Sequence, residues 1–95
     1  MSTRKDRVVT LVSELYGVPA CVVEPTCGLG TFLSASAAHW GESISYQGYE
    51  VNAAYVDEAR RKLEGQGIQV LHRDFFREDW AANIKGLGKP RVLII

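Results

Sequence analysis

The sequence predicts an α/β fold in which one parallel β-sheet is flanked by helices. Short apolar runs rich in β-branched residues alternate along the 95 residues with longer runs whose apolar residues recur at helical spacing. Glycine and proline separate these runs, most clearly at Gly17 and Pro19 and at Gly65 and Gly67. Strands that alternate with helices pair in parallel through right-handed crossovers, so a single small α/β domain is expected.

The first part of the chain is predicted to form a helix, a strand and a second helix. An amphipathic helix is expected at Lys5–Tyr16, and Gly17 ends it. The apolar residues that share one face of this helix are Val8, Leu11, Val12 and Leu15. A strand is expected at Ala20–Glu24, and residues 31–40 are compatible with a second helix that ends before Gly41.

The rest of the chain continues the same alternation. The second strand is predicted at Ser45–Glu50, and the helix at Asn52–Glu64 forms the next crossover. A third strand is expected at residues 68–72 and a short helix at residues 75–84. Arg91–Ile95 is predicted as the fourth strand, so each strand after the first is reached through a helical crossover.

Composition and charge exclude several classes of protein. The 11 basic residues balance 11 acidic ones, so no net field attracts nucleic acid or an anionic membrane to this chain. The longest apolar run is far shorter than a bilayer span, and no membrane association is expected. Cys21 and Cys27 lack CxxC spacing and follow no signal peptide, which predicts free thiols in a reduced, cytoplasmic compartment. His39 and His72 have no further ligands at metal spacing, so no metal site is expected.

The stretch VVEPTCGLGTFL, residues 22–33, runs from the first strand through an acid and two glycines into a helix. Ligands bind at the carboxyl ends of parallel strands, where Gly28 and Gly30 would leave the backbone open. A dinucleotide fingerprint requires a third glycine where Leu33 stands. An ionised Glu24 about 4 Å from a pyrophosphate would oppose its binding by about 4 kcal/mol, but it would favour a cation. S-adenosylmethionine, which carries an ammonium and a sulfonium and no phosphate, therefore suits this turn.

The motif E-P-T-C-G-L-G-T-F-L resembles the first motif of the class I S-adenosylmethionine-dependent methyltransferases, in particular the amino-methyltransferases of restriction-modification systems. In that family an acidic residue is followed by P-x-C-G-x-G-x, then Phe or Leu, then Leu. The resemblance covers nearly the whole chain. The residues that by resemblance surround the methionine end of the cofactor are Glu24, Pro25, Thr26, Cys27, Gly28 and Gly30. The alternative from the residues alone is an ordinary glycine turn in which Glu24 caps the helix.

Two further acids follow predicted strands in the order that this family requires. Glu50 ends the second strand and by resemblance accepts both ribose hydroxyls, with Val51 against the adenine. Asp74 follows the third strand and by resemblance accepts the adenine amino group, with Phe75 or Phe76 against the ring. The alternatives are structural: Glu50 would complement the dipole of the next helix, Asp74 would cap a helix, and the phenylalanines would be core residues.

The resemblance implies a Rossmann-like class I methyltransferase fold with a truncated parallel sheet of order 3-2-1-4. Residues 1–95 would be the N-terminal, cofactor-binding part of the domain, with a leading amphipathic helix in residues 1–19 and a βαβαβ(α)β core in residues 20–95. No catalytic residue is assigned in the chain, because the (D/N/S)PP(Y/F/W) motif that holds the target amine is expected just after Ile95. The isolated chain is therefore expected to be inactive and to self-associate through the open edge of its fourth strand.

The implied reaction is transfer of the sulfonium methyl to a nitrogen, with N6 of adenine in DNA favoured over cytosine N4, RNA or a protein glutamine. DNA would be contacted through segments absent from this chain. Two other classes of function stay open. A noncatalytic S-adenosylmethionine-binding module fits every motif, whereas a nicotinamide-dependent oxidoreductase fits the alternation and Glu50 but conflicts with Glu24 and Leu33.

Overall fold

A computed structural model describes residues 4–88 and 91–94 of the chain, so the predicted last strand residue, Ile95, lies outside it. The helices are α1 (Arg4–Tyr16), α2 (Thr31–Trp40), α3 (Ala53–Lys62) and α4 (Trp80–Gly86). The strands are β1 (Cys21–Glu24), β2 (Ser45–Glu50), β3 (Ile68–His72) and β4 (Val92–Ile94). The predicted alternation is confirmed. None of the helices in this described part of the chain is long and apolar enough to span a membrane.

The strands form one parallel sheet in the order β3-β2-β1-β4, as predicted. β1 lies in the centre, where Cys21–Glu24 pair with residues 45–48 of β2 and Cys21–Val23 pair with β4. All residues of β1 are buried, and a strand buried on both faces reads as a continuous apolar run. The chain order reverses beside β1, because β2 lies on one side of it and β4 on the other. Glu24 is thereby brought to the carboxyl edge of the sheet at this reversal.

The core lies between the sheet and helices α2 and α3. Leu33 from α2 and Val56 from α3 are fully or nearly buried and belong to one cluster with Val22 of β1. Burial of each such side chain contributes about 1.5–3 kcal/mol relative to exposure. The hydroxyl of Tyr46 donates to the carbonyl of Gly41 at 2.8 Å, which ties the end of α2 to β2. These contacts fix both helices that begin at the carboxyl edge.

The predicted leading helix is present as α1, but it buries a residue outside the apolar face that the sequence indicates. α1 lies against α2, and its buried side chain is Val9, which is 3% exposed. Leu11 and Leu15 of the predicted apolar face are 54% and 64% exposed. Val12 of the same face is partly buried, so only part of the predicted apolar face is open to solvent. The guanidinium of Arg91 donates to the carbonyl of Tyr16 and links the end of α1 to the residue before β4.

The prediction of one continuous helix at residues 75–84 is wrong, because two separate helical segments form there. The structure has a 3-10 turn at Phe75–Arg77 and then, separately, α4. Asp74 accepts a hydrogen bond from a backbone N–H of the turn, and Asp79 accepts one from a backbone N–H of α4. Glu78 between them is extended, with φ −82° and ψ 141°. Because each aspartate caps its own segment, two short helical pieces form here.

Candidate functional site

The turn between β1 and α2 is built from backbone hydrogen bonds and two left-handed glycines. Gly28 (φ 56°) and Gly30 (φ 77°) adopt a positive φ that residues with a side chain rarely adopt. The N–H of Cys27 donates to the carbonyl of Tyr49 at 2.9 Å, which fastens the turn to β2. A Cβ at Gly30 would lie 2.5 Å from the Cδ1 of Leu63. The turn therefore brings a bare backbone to the carboxyl edge of the sheet.

Gly48 in β2 is a residue of the site that sequence reasoning missed. It lies beside Glu24 in the register of β1 and β2. A Cβ at Gly48 would approach both the Sγ of Cys27 and the Cδ1 of Leu33 to 2.7 Å, which is closer than real contacts. The missing side chain thus makes the room in which the glycine turn packs on the sheet. The signal was a glycine in the middle of a predicted strand, a position that marks close approach of another backbone.

Glu24 places a largely buried carboxylate beside the turn, since it ends β1 and is only 7% exposed. The thiol of Cys27 is buried nearby. Burial, reinforced by the negative charges of Glu24 and Glu50, raises the pKa of Cys27 from 9.0 to about 11. The thiol therefore stays protonated at neutral pH and does not act as a thiolate nucleophile. Its contribution is to fill the space between the turn and β2.

Glu50 ends β2 and joins two parts of the site through its carboxylate. Its Oε1 accepts the N–H of Gly28 at 2.9 Å, and its Oε2 accepts the N–H of Asn52 at 2.8 Å. Asn52 caps α3 by accepting the N–H of Tyr55, so the acid holds the glycine turn against the start of that helix. Glu50 thus has a structural role at the start of α3, which the sequence left open as an alternative to ligand binding. A carboxylate oxygen can accept two hydrogen bonds, so Glu50 retains acceptor capacity for a ligand.

A cavity of about 160 Å³ opens at the ends of β1, β2 and β3. Its lining residues are Pro25, Thr26, Glu50, Val51, Arg73, Asp74, Phe75 and Phe76. The predicted residues that form the turn and do not line this cavity are Glu24, Cys27, Gly28 and Gly30. Arg73 was not predicted; its Nη1 lies 3.3 Å from the Oε1 of Glu78. A single arginine after a strand carries no distinctive signal, whereas the strand-end acids do.

Asp74 and the aromatic residues after it form the cavity wall next to β3. The Oδ1 of Asp74 accepts the N–H of Phe76 at 3.0 Å, and its Oδ2 lies 3.7 Å from the Nε of Arg77. Asp74 therefore has the capping role that the sequence allowed while it remains on the cavity wall. Phe75 and Phe76 are 39% and 90% exposed, so the alternative that they are core residues is wrong. The ring of Phe75 lies 5.1 Å from that of Phe76 and 5.6 Å from that of Trp80.

The histidines make structural contacts. The Nε2 of His72 lies 2.8 Å from the carbonyl oxygen of Val51, and the ring of His39 meets that of Trp40 edge-on at 5.8 Å. Among residues 4–88 and 91–94, no three or more potential metal ligands form a cluster. The site therefore offers acceptor oxygens, apolar surface, an open backbone and the guanidinium of Arg73.

The sheet order, the glycine turn after β1 and the acids that follow the first three strands define an α/β fold of the class I methyltransferase type. No family model matches the chain. The chain is 36% identical over 92 residues to the type II methyltransferase M.NspV of Nostoc sp.. This match covers 94% of the chain and 19% of the relative, so the chain spans about a fifth of the length of that curated protein.

Three solved structures share the fold. A methyltransferase from Geobacter sulfurreducens matches with a TM-score of 0.61 and 22% identity, over 78% of this chain and 39% of that one. The type I restriction-modification system methyltransferase subunit from Streptococcus thermophilus matches with a TM-score of 0.64 and 18% identity. This match covers 84% of this chain and 19% of that one. An RNA methyltransferase from Salinibacter ruber, in complex with S-adenosyl-L-homocysteine, matches with a TM-score of 0.62 and 22% identity. This match covers 83% of this chain and 54% of that one. The predicted fold and the predicted resemblance to methyltransferases are thus confirmed.

Proposed function

We propose that this chain is the S-adenosylmethionine-binding part of a methyltransferase. The observation that carries the proposal is the cavity at the ends of three strands, where Glu50 and Asp74 present acceptors beside the apolar side chains of Val51 and Phe75. A nucleoside requires acceptors for its hydroxyl and amino groups and apolar surfaces for its base. The Nostoc relative is by name a type II methyltransferase, and the Salinibacter enzyme is in complex with the demethylated cofactor.

The residues present fit this cofactor in size and charge. A cavity of about 160 Å³ is smaller than a complete small-molecule site of roughly 300–1,000 Å³, so it suits the nucleoside part. The methionine end would lie along the glycine turn, because no atom lies within 4 Å of a Cβ placed on Gly28. Glu24 and Glu50 give this end of the site a negative charge, which favours an ammonium and a sulfonium and opposes a pyrophosphate.

Each group of residues would have a distinct task. Glu50 would accept the ribose hydroxyls and Asp74 the adenine amino group, while Val51 and Phe75 would contact the base. The bound cofactor supplies a sulfonium methyl group that a nucleophilic nitrogen can accept. The chain's own contribution is binding and orientation, which lower the barrier by holding the methyl carbon near attack distance. Among the described residues, none is assigned a catalytic role.

For the whole protein we propose N6 of adenine in DNA as the methyl acceptor, contacted by segments outside this chain. The motif E-P-T-C-G-L-G-T-F-L supports this acceptor because it resembles that of the amino-methyltransferases, and one structural neighbour belongs to a restriction-modification system. RNA is the second candidate, since the Salinibacter neighbour is an RNA methyltransferase. Cys21 and Cys27 form no disulfide within the described part of the chain, which supports a cytoplasmic location.

Calorimetry tests which cofactor the chain binds. The wild type is expected to bind S-adenosylmethionine and S-adenosylhomocysteine and not NAD. Glu50→Ala is expected to weaken binding roughly 10- to 100-fold, because it removes a charged acceptor. Glu64→Ala, which removes an exposed glutamate after α3, is the matched control and should bind as the wild type does. Equal binding by wild type and Glu50→Ala would remove Glu50 from the site, and tighter binding of NAD would overturn the cofactor assignment.

Transfer of a radiolabelled methyl group tests whether the chain alone is active. The 95-residue chain is expected to bind the cofactor without methylating DNA or RNA, because the motif expected to hold a target amine is not among its residues. Unmethylated DNA and RNA would be assayed in parallel with the same cofactor. Turnover on DNA by this chain would show that the acceptor site lies within it, and turnover on RNA alone would replace the DNA assignment.

A further inference from the structure

The loop formed by residues 50–52 runs from the last residue of β2 to the residue before α3, and it carries cavity residues but has little side-chain packing to hold it. The side chain of Val51 is 60% exposed although it lines the cavity. Hydrogen bonds must therefore fix the loop. Two of them come from the carboxylate of Glu50, which accepts the N–H groups of Gly28 and Asn52.

A third hydrogen bond reaches the loop from β3. The Nε2 of His72 lies 2.8 Å from the carbonyl oxygen of Val51. Because a carbonyl oxygen only accepts, the ring nitrogen must donate, so Nε2 carries a proton. Both the neutral tautomer with that proton and the imidazolium satisfy this requirement. His72 also pairs with Glu50 in the sheet register, and the N–H of Arg73 donates to the Glu50 carbonyl at 3.0 Å.

We propose that His72 is a positioning residue of the cofactor site. Its Nε2–H holds the peptide between Val51 and Asn52, and this keeps the Glu50 carboxylate and the Val51 side chain on the cavity wall. His72 does not itself line the cavity, so it acts through the loop. The inference rests on the proposed function, because it takes the cavity to bind the nucleoside of S-adenosylmethionine.

The effect on the loop can be measured without ligand. In the free chain, His72→Ala is expected to shift the backbone amide resonance of Asn52, whose N–H belongs to the peptide that His72 holds, and that of Gly28. His72→Gln, whose side-chain amide also donates, is expected to restore much of both resonances. His39→Ala removes the other histidine, on α2, and should leave them unchanged. If the alanine variant does not fold, His72→Leu fills the space without a donor and replaces it.

Calorimetry with S-adenosylhomocysteine gives the second measurement. His72→Ala is expected to weaken binding about two- to tenfold, the change that one net hydrogen bond produces. His72→Gln should recover most of the affinity, and His39→Ala should match the wild type. Equal losses in the alanine and glutamine variants would show that ring volume matters instead of the donor, and this would overturn the proposal. Unchanged Asn52 resonance and affinity in His72→Ala would also overturn it. If the wild type binds no cofactor, the proposed function fails, while the Asn52 resonance still decides whether His72 positions the loop.

Discussion

Gly48 has no room for a side chain, because a Cβ there would lie 2.7 Å from both the Sγ of Cys27 and the Cδ1 of Leu33. Gly48→Ala is therefore expected to destabilise the fold by about 1–3 kcal/mol, because the turn or the helix must move away. Gly86→Ala is the control, since no atom lies within 4 Å of a Cβ there, and it should be neutral or slightly stabilising in α4. Urea unfolding measures both variants. Equal midpoints for Gly48→Ala and the wild type would contradict the close approach.

The raised pKa of Cys27 makes stability depend on pH. The pKa is about 11 in the folded protein against 9.0 ordinarily, through burial first and then the charges of Glu24 and Glu50. Above the ordinary value the unfolded chain loses this proton while the folded chain keeps it, so unfolding is favoured by rising pH. The stabilising contribution is complete below pH 9 and is lost between pH 9 and about 11.

Comparison of Cys27→Ala with the wild type isolates this contribution. The free energy of unfolding of the wild type should fall more steeply with pH across that window. Burial also raises the pKa values of Tyr46 and Tyr49 from 10.0, but both proteins contain these tyrosines, so their contribution cancels in the difference. Parallel curves would show that the Cys27 thiol titrates normally in the folded state.

Single residues of the site differ in how far the sequence could predict them. The positions of Glu50 and Asp74 on the cavity wall were predictable because each stands at or just after the end of a predicted strand, at the edge where ligands bind. The hydrogen bond between Glu50 and Gly28 could not be predicted, because the two residues lie 22 positions apart and only the folded sheet brings them together. Gly48 was missed for the same reason, since the clash it avoids is with another segment.

At the scale of elements, the strands could be predicted because short apolar runs bounded by glycine have few other folded forms. The helix at residues 75–84 could not be predicted from its apolar spacing, because local capping by Asp74 and Asp79 overrides it. The apolar face of α1 shows a different limit. Its spacing is helical, but which side of a helix is buried depends on what packs against it, and the fully buried residue in the described part of α1 is Val9.

The cap of α3 gives a test at this scale. The Oδ1 of Asn52 accepts the N–H of Tyr55 at 3.2 Å, so Asn52→Ala is expected to cost about 0.5–2 kcal/mol of stability. Asn52→Ser retains a capping oxygen and should recover most of the loss, which makes it the matched control. Thermal unfolding followed by circular dichroism measures both. Identical losses in the alanine and serine variants would exclude capping as the cause.

At the scale of the whole molecule, β4 forms one end of the sheet and pairs on its other side with β1. Ile94 on this edge is 50% exposed. An exposed apolar edge strand offers unpaired backbone groups to a second chain, so the isolated 95-residue chain is expected to self-associate. Ile94→Lys should shift it toward the monomer in sedimentation velocity, because a charge on an edge strand opposes pairing.

Two controls separate the edge from other exposed apolar side chains. Tyr55→Lys changes a residue on α3 that is 48% exposed, and it should not alter association. Leu15→Lys changes the uncovered face of α1. Dissociation by Leu15→Lys and not by Ile94→Lys would assign the contact to α1, and a wild type that is monomeric at high concentration would refute self-association altogether.

The hydrogen bond from Arg91 to the carbonyl of Tyr16 joins residues 75 positions apart. Such a contact forms late in folding, because bringing the two residues together closes a long loop and costs conformational entropy. β2 and β3 are joined through the single crossover of α3, so they can pair much earlier. Pulsed hydrogen exchange should therefore protect amides of β2 and β3 before those of β4, which pairs with β1 across a loop of similar length. Arg91 can therefore fasten the end of α1 only after the chain has brought β4 back beside β1.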